Sequence, residues 1–256
     1  MKHSLDELRH RVSELAIGRG DPEDLEAAIR RSIRDANADP ETVTRLRMLL
    51  GELFAWMNDP AKARAQYRKI LEQDPGSTGA MIGIGHTFQF ASRLRKAAEW
   101  FHAAYVAAEG RQDCAGQLAA LDVIALNADL RDDAQALSDA LSRMCGVLAS
   151  APRVDGMHTM IAEWLIMKNK GAAALPFLEC LVKHLLERGY PRSYQYLALR
   201  PFVEVQRQEG RSDEEISSLL NELRRLAADR TVARDLDIAA AWACDHGRCH
   251  YALGGD

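Results

Sequence analysis

The sequence predicts an all-α chain built from tandem antiparallel helix pairs, and three observations carry that expectation. Four pairs of like residues recur at an interval of 34: Gly51 and Gly85, Phe54 and Phe88, Ala63 and Ala97, Tyr67 and Phe101. A small residue, an aromatic three later, then an alanine and an aromatic four apart describe a helical hairpin duplicated in tandem. Hydrophobic content of 47% with abundant Ala and Leu and only 8 Pro suits packed helices. No alternating run of useful length predicts a strand.

The elements follow in order. Ser4 and Glu7 form a candidate capping box, and Leu5, Leu8, Val12 and Leu15 continue at helical spacing. Gly18 to Asp21 turns the chain, and Asp21-Pro22 opens a helix carrying Leu25, Ala28, Ile29 and Ile33. Leu15, Ala16 and Ala28 precede Leu50, Gly51 and Ala63 by 35 residues, which suggests a degenerate repeat or amino-terminal cap. At Asp39-Pro40 and Asp59-Pro60 the acid can cap a helix while proline takes its first position, where a missing donor costs nothing. Asp74-Pro75 closes the first complete unit, since proline disfavours helical geometry in the residue before it.

In each unit the first helix carries the glycine, which permits close approach at about 1 kcal/mol of helix propensity relative to alanine. The second supplies Ala63 or Ala97 as the small contact, and Tyr67 or Phe101 fills the space between units. Beyond Arg111 the register loosens. Leu118, Leu121 and Ile124 predict one helix and Leu130 to Ser150 its partner, with a longer connection because Ala134 falls 37 residues after Ala97. Met157, Met160, Ile161 and Trp164, then Ala173 and Phe177, suggest a further unit. Pro191 to Glu209 predicts a helix kinked or restarted at Pro201. Ser212 and Glu215 form a second candidate capping box ahead of Ile216, Leu219, Leu220, Leu223 and Leu226. A last helix is expected to begin near Thr231.

The two units at Thr44–Ser77 and Thr78–Arg111 resemble the tetratricopeptide repeat family, with Ala104 in the family's last alanine slot. Ile70 departs from that slot in the first unit, and the second lacks the closing proline near Gly110. The resemblance implies a right-handed superhelical solenoid of antiparallel hairpins, about thirteen helices in all given ordinary helix lengths. The expected organisation is a hairpin or cap over 1–43, two well-matched units over 44–111, divergent pairs over 112–188 and a helical cap with a frayed tail over 189–256.

A net charge of −4, from 33 basic and 37 acidic side chains, gives no general attraction to nucleic acid or anionic membrane. The polar amino terminus lacks the apolar stretch of a secretory signal, and no run approaches the length of a membrane span. Five cysteines at irregular spacing suggest reduced thiols and a cytoplasmic setting. Cys114, Cys145 and Cys180 fall in expected helices as small core residues. Cys244, His246, Cys249 and His250 cluster near the end, without a standard structural-zinc spacing, and no metal is expected. Phosphate-loop, dinucleotide, zinc-protease and nucleophile-elbow motifs are absent, so no cofactor and no catalytic residue is expected.

In the family, first helices of successive units line a concave groove. Carried over residue by residue, the resemblance assigns to it Met48, Glu52 and Trp56, then Ile82, His86, Gln89 and Phe90, and in the later unit His158, Leu165 and Ile166. Apolar side chains beside a few polar ones suit an amphipathic helix or an extended peptide. Met48, Glu52 and Gly83 occupy slots where chaperone-binding members carry cationic donors, so a carboxylate clamp is not expected. The expected function is a non-catalytic protein-interaction scaffold. A substrate-recruiting or regulatory region of an enzyme whose catalytic part lies elsewhere is the alternative, as is self-assembly into a homo-oligomer.

Overall fold

The computed structural model describes residues 4–16, 20–35, 39–151 and 160–233. Among them are twelve helices and no strand: α1 (Leu5–Ala16), α2 (Pro22–Asp35), α3 (Pro40–Trp56), α4 (Pro60–Leu71), α5 (Thr78–Phe90), α6 (Leu94–Gly110), α7 (Cys114–Leu130), α8 (Ala134–Ser150), α9 (Met160–Met167), α10 (Gly171–Glu187), α11 (Arg192–Gln208) and α12 (Ser217–Ala227). Residues 230–233 begin a thirteenth, as the sequence predicts near Thr231. No described helix is long and apolar enough to cross a membrane. The described chain divides into two compact units, 4–107 and 108–233.

One device ends seven of the helices. A residue with positive φ is followed by a residue whose N–H reaches back to a carbonyl five positions earlier: Asp59 to Phe54 (2.8 Å), Arg93 to Phe88 (2.8 Å), Asp113 to Ala108 (2.9 Å), Asp133 to Ala128 (2.9 Å), Lys170 to Leu165 (2.7 Å), Tyr190 to Leu185 (3.1 Å) and Arg211 to Gln206 (3.1 Å). The positive-φ residues are Asn58, Ser92, Gln112, Asp132, Asn169, Gly189 and Gly210. This is the Schellman closure, which satisfies helix-end carbonyls and reverses the chain. In three of these turns the next residue is an aspartate that caps the following helix: Asp59 Oδ1 accepts from Lys62 N (3.0 Å), Asp113 Oδ1 from Gly116 N (2.9 Å) and Asp133 Oδ1 from Ala136 N (3.1 Å). Stop and start signals therefore occupy adjacent residues, so each hairpin loop needs only three. The Ser212–Glu215 box forms reciprocally, but its first turn is irregular and α12 begins at Ser217.

In the first unit α3 packs against α1, α2, α4 and α5. Phe54 is fully buried, with the Lys62 ammonium 5.4 Å from its ring centroid and the Arg30 guanidinium at 5.8 Å. The glycine row does what its spacing implies. A Cβ on Gly51 would stand 2.5 Å from Tyr67 Cε1, and one on Gly85 2.3 Å from Phe101 Cε1. Gly83 closes on the same Tyr67 ring from the next helix, at 2.6 Å to Cζ, so Tyr67 is clasped by two helices at once. Gly83 is thus a packing position rather than the open groove slot expected of it.

In the second unit α7 packs on α8 and α9, α10 on α8, α9 and α11, and α11 on α12. The expected longer connection after α6 is absent. Helix starts advance by 34 residues from Pro60 to Leu94 but by 40 from Leu94 to Ala134 (134 − 94), and the added length lies inside the helices. Leu130 accordingly ends α7 instead of opening α8. Pro201 lies buried within a continuous α11, not at a restart.

Candidate functional site

Helix geometry places Met48, Glu52 and Trp56 on one face of α3, and Ile82, His86 and Phe90 on one face of α5, each set spaced by four. The two helices are in contact. Met48 and Trp56 are partly buried against the core of the first unit, with the Met48 methyl positioned 3.4 Å from where a Gly79 Cβ would stand. Ile82 and His86 are half-buried, while Glu52 and Phe90 are exposed. Phe90 is 63% exposed, the highest value among the exposed large hydrophobic side chains of the described residues.

His86 joins the buried interior to this exposed ring. Its imidazole stacks on Phe90 with centroids 6.1 Å apart and meets Phe101 edge-on at 5.3 Å. Phe101 is completely buried, so the packing row holds His86, and His86 supports one face of Phe90. Phe54, like Phe101, is fully buried. Phe88 is only half-buried, with the Arg64 guanidinium 5.0 Å from its ring centroid.

Two expected surface residues are corrected. Gln89 is 9% exposed and its Oε1 has no hydrogen-bond partner. It lies one turn after Gly85 and so shares the packed face, not the His86 and Phe90 face. Leu165 is fully buried, one turn after the equally inward Ile161, while Ile166 is half-buried. His158, and the Cys244, His246, Cys249 and His250 cluster, lie outside the described residues. Among the described residues no group of three or more His, Cys, Asp or Glu side chains could hold a metal ion.

The face also carries two displaced titrations. Although Glu52 as a residue is exposed, the protein packed around its carboxyl pushes it up to about 7 by desolvation, with the Arg9 guanidinium pulling the other way. Burial lowers the His86 imidazole to about 4, so it is neutral at neutral pH. Linkage fixes the signs. Glu52 holds a proton in the fold that the unfolded chain has released, so its contribution is full below about 4.5 and is lost as pH rises through about 7. His86 does the opposite: its contribution is present above about 6.5 and is lost as pH falls through about 4. Melting temperatures across pH 4 to 8 should therefore decline less steeply on the alkaline side in Glu52→Gln than in wild type. Parallel curves for the two proteins would contradict the displaced carboxyl.

Sequence reasoning missed a polar cluster in the second unit. Asp122 and Asp129 are buried on α7, two turns apart on one face. Asp122 Oδ1 accepts the Ile161 N–H at the start of α9 (3.2 Å). Asp129 accepts from Trp164 Nε1 (2.7 Å) and from Lys170 Nζ (2.6 Å). Two carboxylates thus fasten α9 along α7. The available signal is a pair of acids two turns apart inside a mainly apolar helix.

No family model and no curated protein sequence matches this chain. Solved structures do. BtubC (BKLC) from P. vanneervenii superposes with a TM-score of 0.57 at 15% identity, over 82% of this chain and 92% of that one. Weaker likenesses are to Pseudomonas aeruginosa pilF, with TM-score 0.44, 14% identity and coverage of 92% and 99%. A putative kinesin light chain from Podospora anserina with nearly identical TPR-like repeats gives 0.45 at 10% identity, over 89% and 98%. With its glycine-and-aromatic row, its three-residue hairpin turns and, among the described residues, helices without a strand, the chain has the tetratricopeptide-like fold.

Proposed function

We propose that this chain is a non-catalytic, cytoplasmic protein-interaction scaffold that holds a helix or extended peptide of a partner on the α3 and α5 face of its first unit. The observation that carries this reading is Phe90, exposed at 63% yet stacked on a His86 that is itself braced by buried Phe101. A large ring held in place before binding loses little freedom when a partner covers it, so more of the buried area is realised as affinity. Met48, Trp56 and Ile82 extend the apolar strip, and Glu52 supplies a hydrogen-bonding group at its edge. That mixture suits an amphipathic ligand with one apolar stripe.

Replacing Trp56 and Phe90 together by alanine is expected to abolish partner capture, since aromatic anchors carry about 2 kcal/mol or more each at such sites. The single Phe90→Ala change should weaken binding about 30-fold, the equivalent of roughly 2 kcal/mol. Helicity and melting temperature of Phe90→Ala should match wild type, because the ring contributes little buried area. Affinity capture with the wild-type chain and the double variant, followed by titration of any captured protein, makes the comparison. Recovery of the same proteins at equal strength by both would overturn the reading.

A further inference from the structure

We propose that Cys145 and Cys180 form a dithiol site that a low-molecular-weight disulfide converts into an intramolecular disulfide, clasping α8 to α10. The two residues lie 35 positions apart in sequence (180 − 145) but on helices that pack directly together. The Cys145 thiol donates to the Pro176 carbonyl oxygen, with Sγ to O at 3.6 Å. The Cys180 sulfur is near enough to act on the Cys145 thiol electrostatically. Pro176 and Cys180 are one turn apart on α10, where the Pro176 carbonyl faces the Cys180 N–H, so the Cys145 sulfur lies beside Cys180. Both cysteines are free and half-buried, so a small molecule can reach sulfur while a bulky surface is kept away.

The exchange takes two steps. Burial and the neighbouring sulfur push the Cys145 thiol up to about 12, so it stays protonated at neutral pH. In the first step Cys180 gives up its proton, attacks one sulfur of the small disulfide and expels a thiolate that takes up that proton. Cys145 then releases its proton, attacks the Cys180 sulfur of the mixed disulfide and expels the second small thiolate, which takes up that proton. Two protein thiols are oxidised, one small disulfide is reduced to two thiols, and no other reactant is required. The bridge closes a loop that contains all of α9.

The test uses the full native chain equilibrated in a buffer of oxidised and reduced glutathione, with peptide mapping before and after dithiothreitol. The expected result is a peptide joining Cys145 to Cys180, reversible by dithiothreitol. The melting temperature of the oxidised form should be about 5–10 °C above that of the reduced form. Phenylarsine oxide, which bridges neighbouring thiols, should bind once at this pair and block both from alkylation. In Cys145→Ser, Cys180 should stop at the mixed disulfide with glutathione, because the resolving sulfur is gone. A wild-type chain in which Cys180 keeps glutathione without resolving, pairs with another cysteine, or reacts only after unfolding would overturn the assignment. The wild-type peptide map decides even if a variant fails to fold.

Discussion

Replacing Phe101 by alanine is expected to destabilise the first unit by about 3–5 kcal/mol, the range for deleting a fully buried aromatic ring. The ring lies where a Gly85 Cβ would stand, so the same contact predicts the behaviour of the glycine. Gly85→Ala gains about 1 kcal/mol of helix propensity but forces a ring atom 2.3 Å away to move, within a buried seam that cannot yield freely. A net loss of about 1–2 kcal/mol follows from overpacking costs of 1–3 kcal/mol. In the Phe101→Ala background the obstacle is gone, and Gly85→Ala should turn neutral or stabilising. A double-mutant cycle measured by denaturant unfolding should show an interaction of about 1–3 kcal/mol. Strict additivity would mean that the glycine and the ring do not meet.

This seam is legible in the sequence because two copies of it stand 34 residues apart, and chance seldom aligns four residue types at once. Gly51 with Tyr67, and Gly85 with Phe101, are found in contact as that spacing requires. The turns are less legible. Asn58, Ser92, Gln112, Asp132 and Asn169 share a positive φ but not a residue type, and none is the glycine that usually marks such a closure. Asn and Asp tolerate that geometry, but they are common outside such closures too, so residue type alone does not mark the turn. The lengthening of the units is hidden for a related reason. Extra turns inside α6 and α7 leave the apolar periodicity unbroken, so the shifted register looks the same as a longer loop would.

The candidate face shows the same division. His86 and Phe90, one and two turns along α5 from Ile82, lie on its outward side. Gln89 instead follows Gly85 and carries its amide inward, where a polar side chain is unexpected. Helical phase alone separates them. Leu165 is a different case, since the face it takes depends on how α9 is set against α7, and the contact of Ile161 with Asp122 that sets it is tertiary and shows in no local pattern.

The last expected result concerns this carboxylate fastening. Asp129→Ala removes the acceptor of two side-chain donors, and bonds of this charge-assisted kind contribute about 1.5–3 kcal/mol each when made well. The Trp164 indole N–H is left without its acceptor in a partly buried place, whereas the Lys170 ammonium can turn to water. A loss of about 2–4 kcal/mol is therefore expected, most of it from Trp164 and from the space left on α7. Lys170 gives the loss a pH signature. Its ammonium is held above the usual lysine value by Asp129, so the pair's contribution is complete below about 10.5 and fades as pH rises through the raised value. Asp129→Asn keeps the shape and one acceptor for Trp164 but loses that alkaline dependence. Native-state hydrogen exchange should locate the damage: amides of α9 should lose protection ahead of those in α10 and α11, because α9 is tied to α7 by Asp122 and Asp129. Uniform loss across the second unit would show that Asp129 supports the whole core, and unchanged protection of α9 would show that packing on α10 and α11 holds it without the carboxylates.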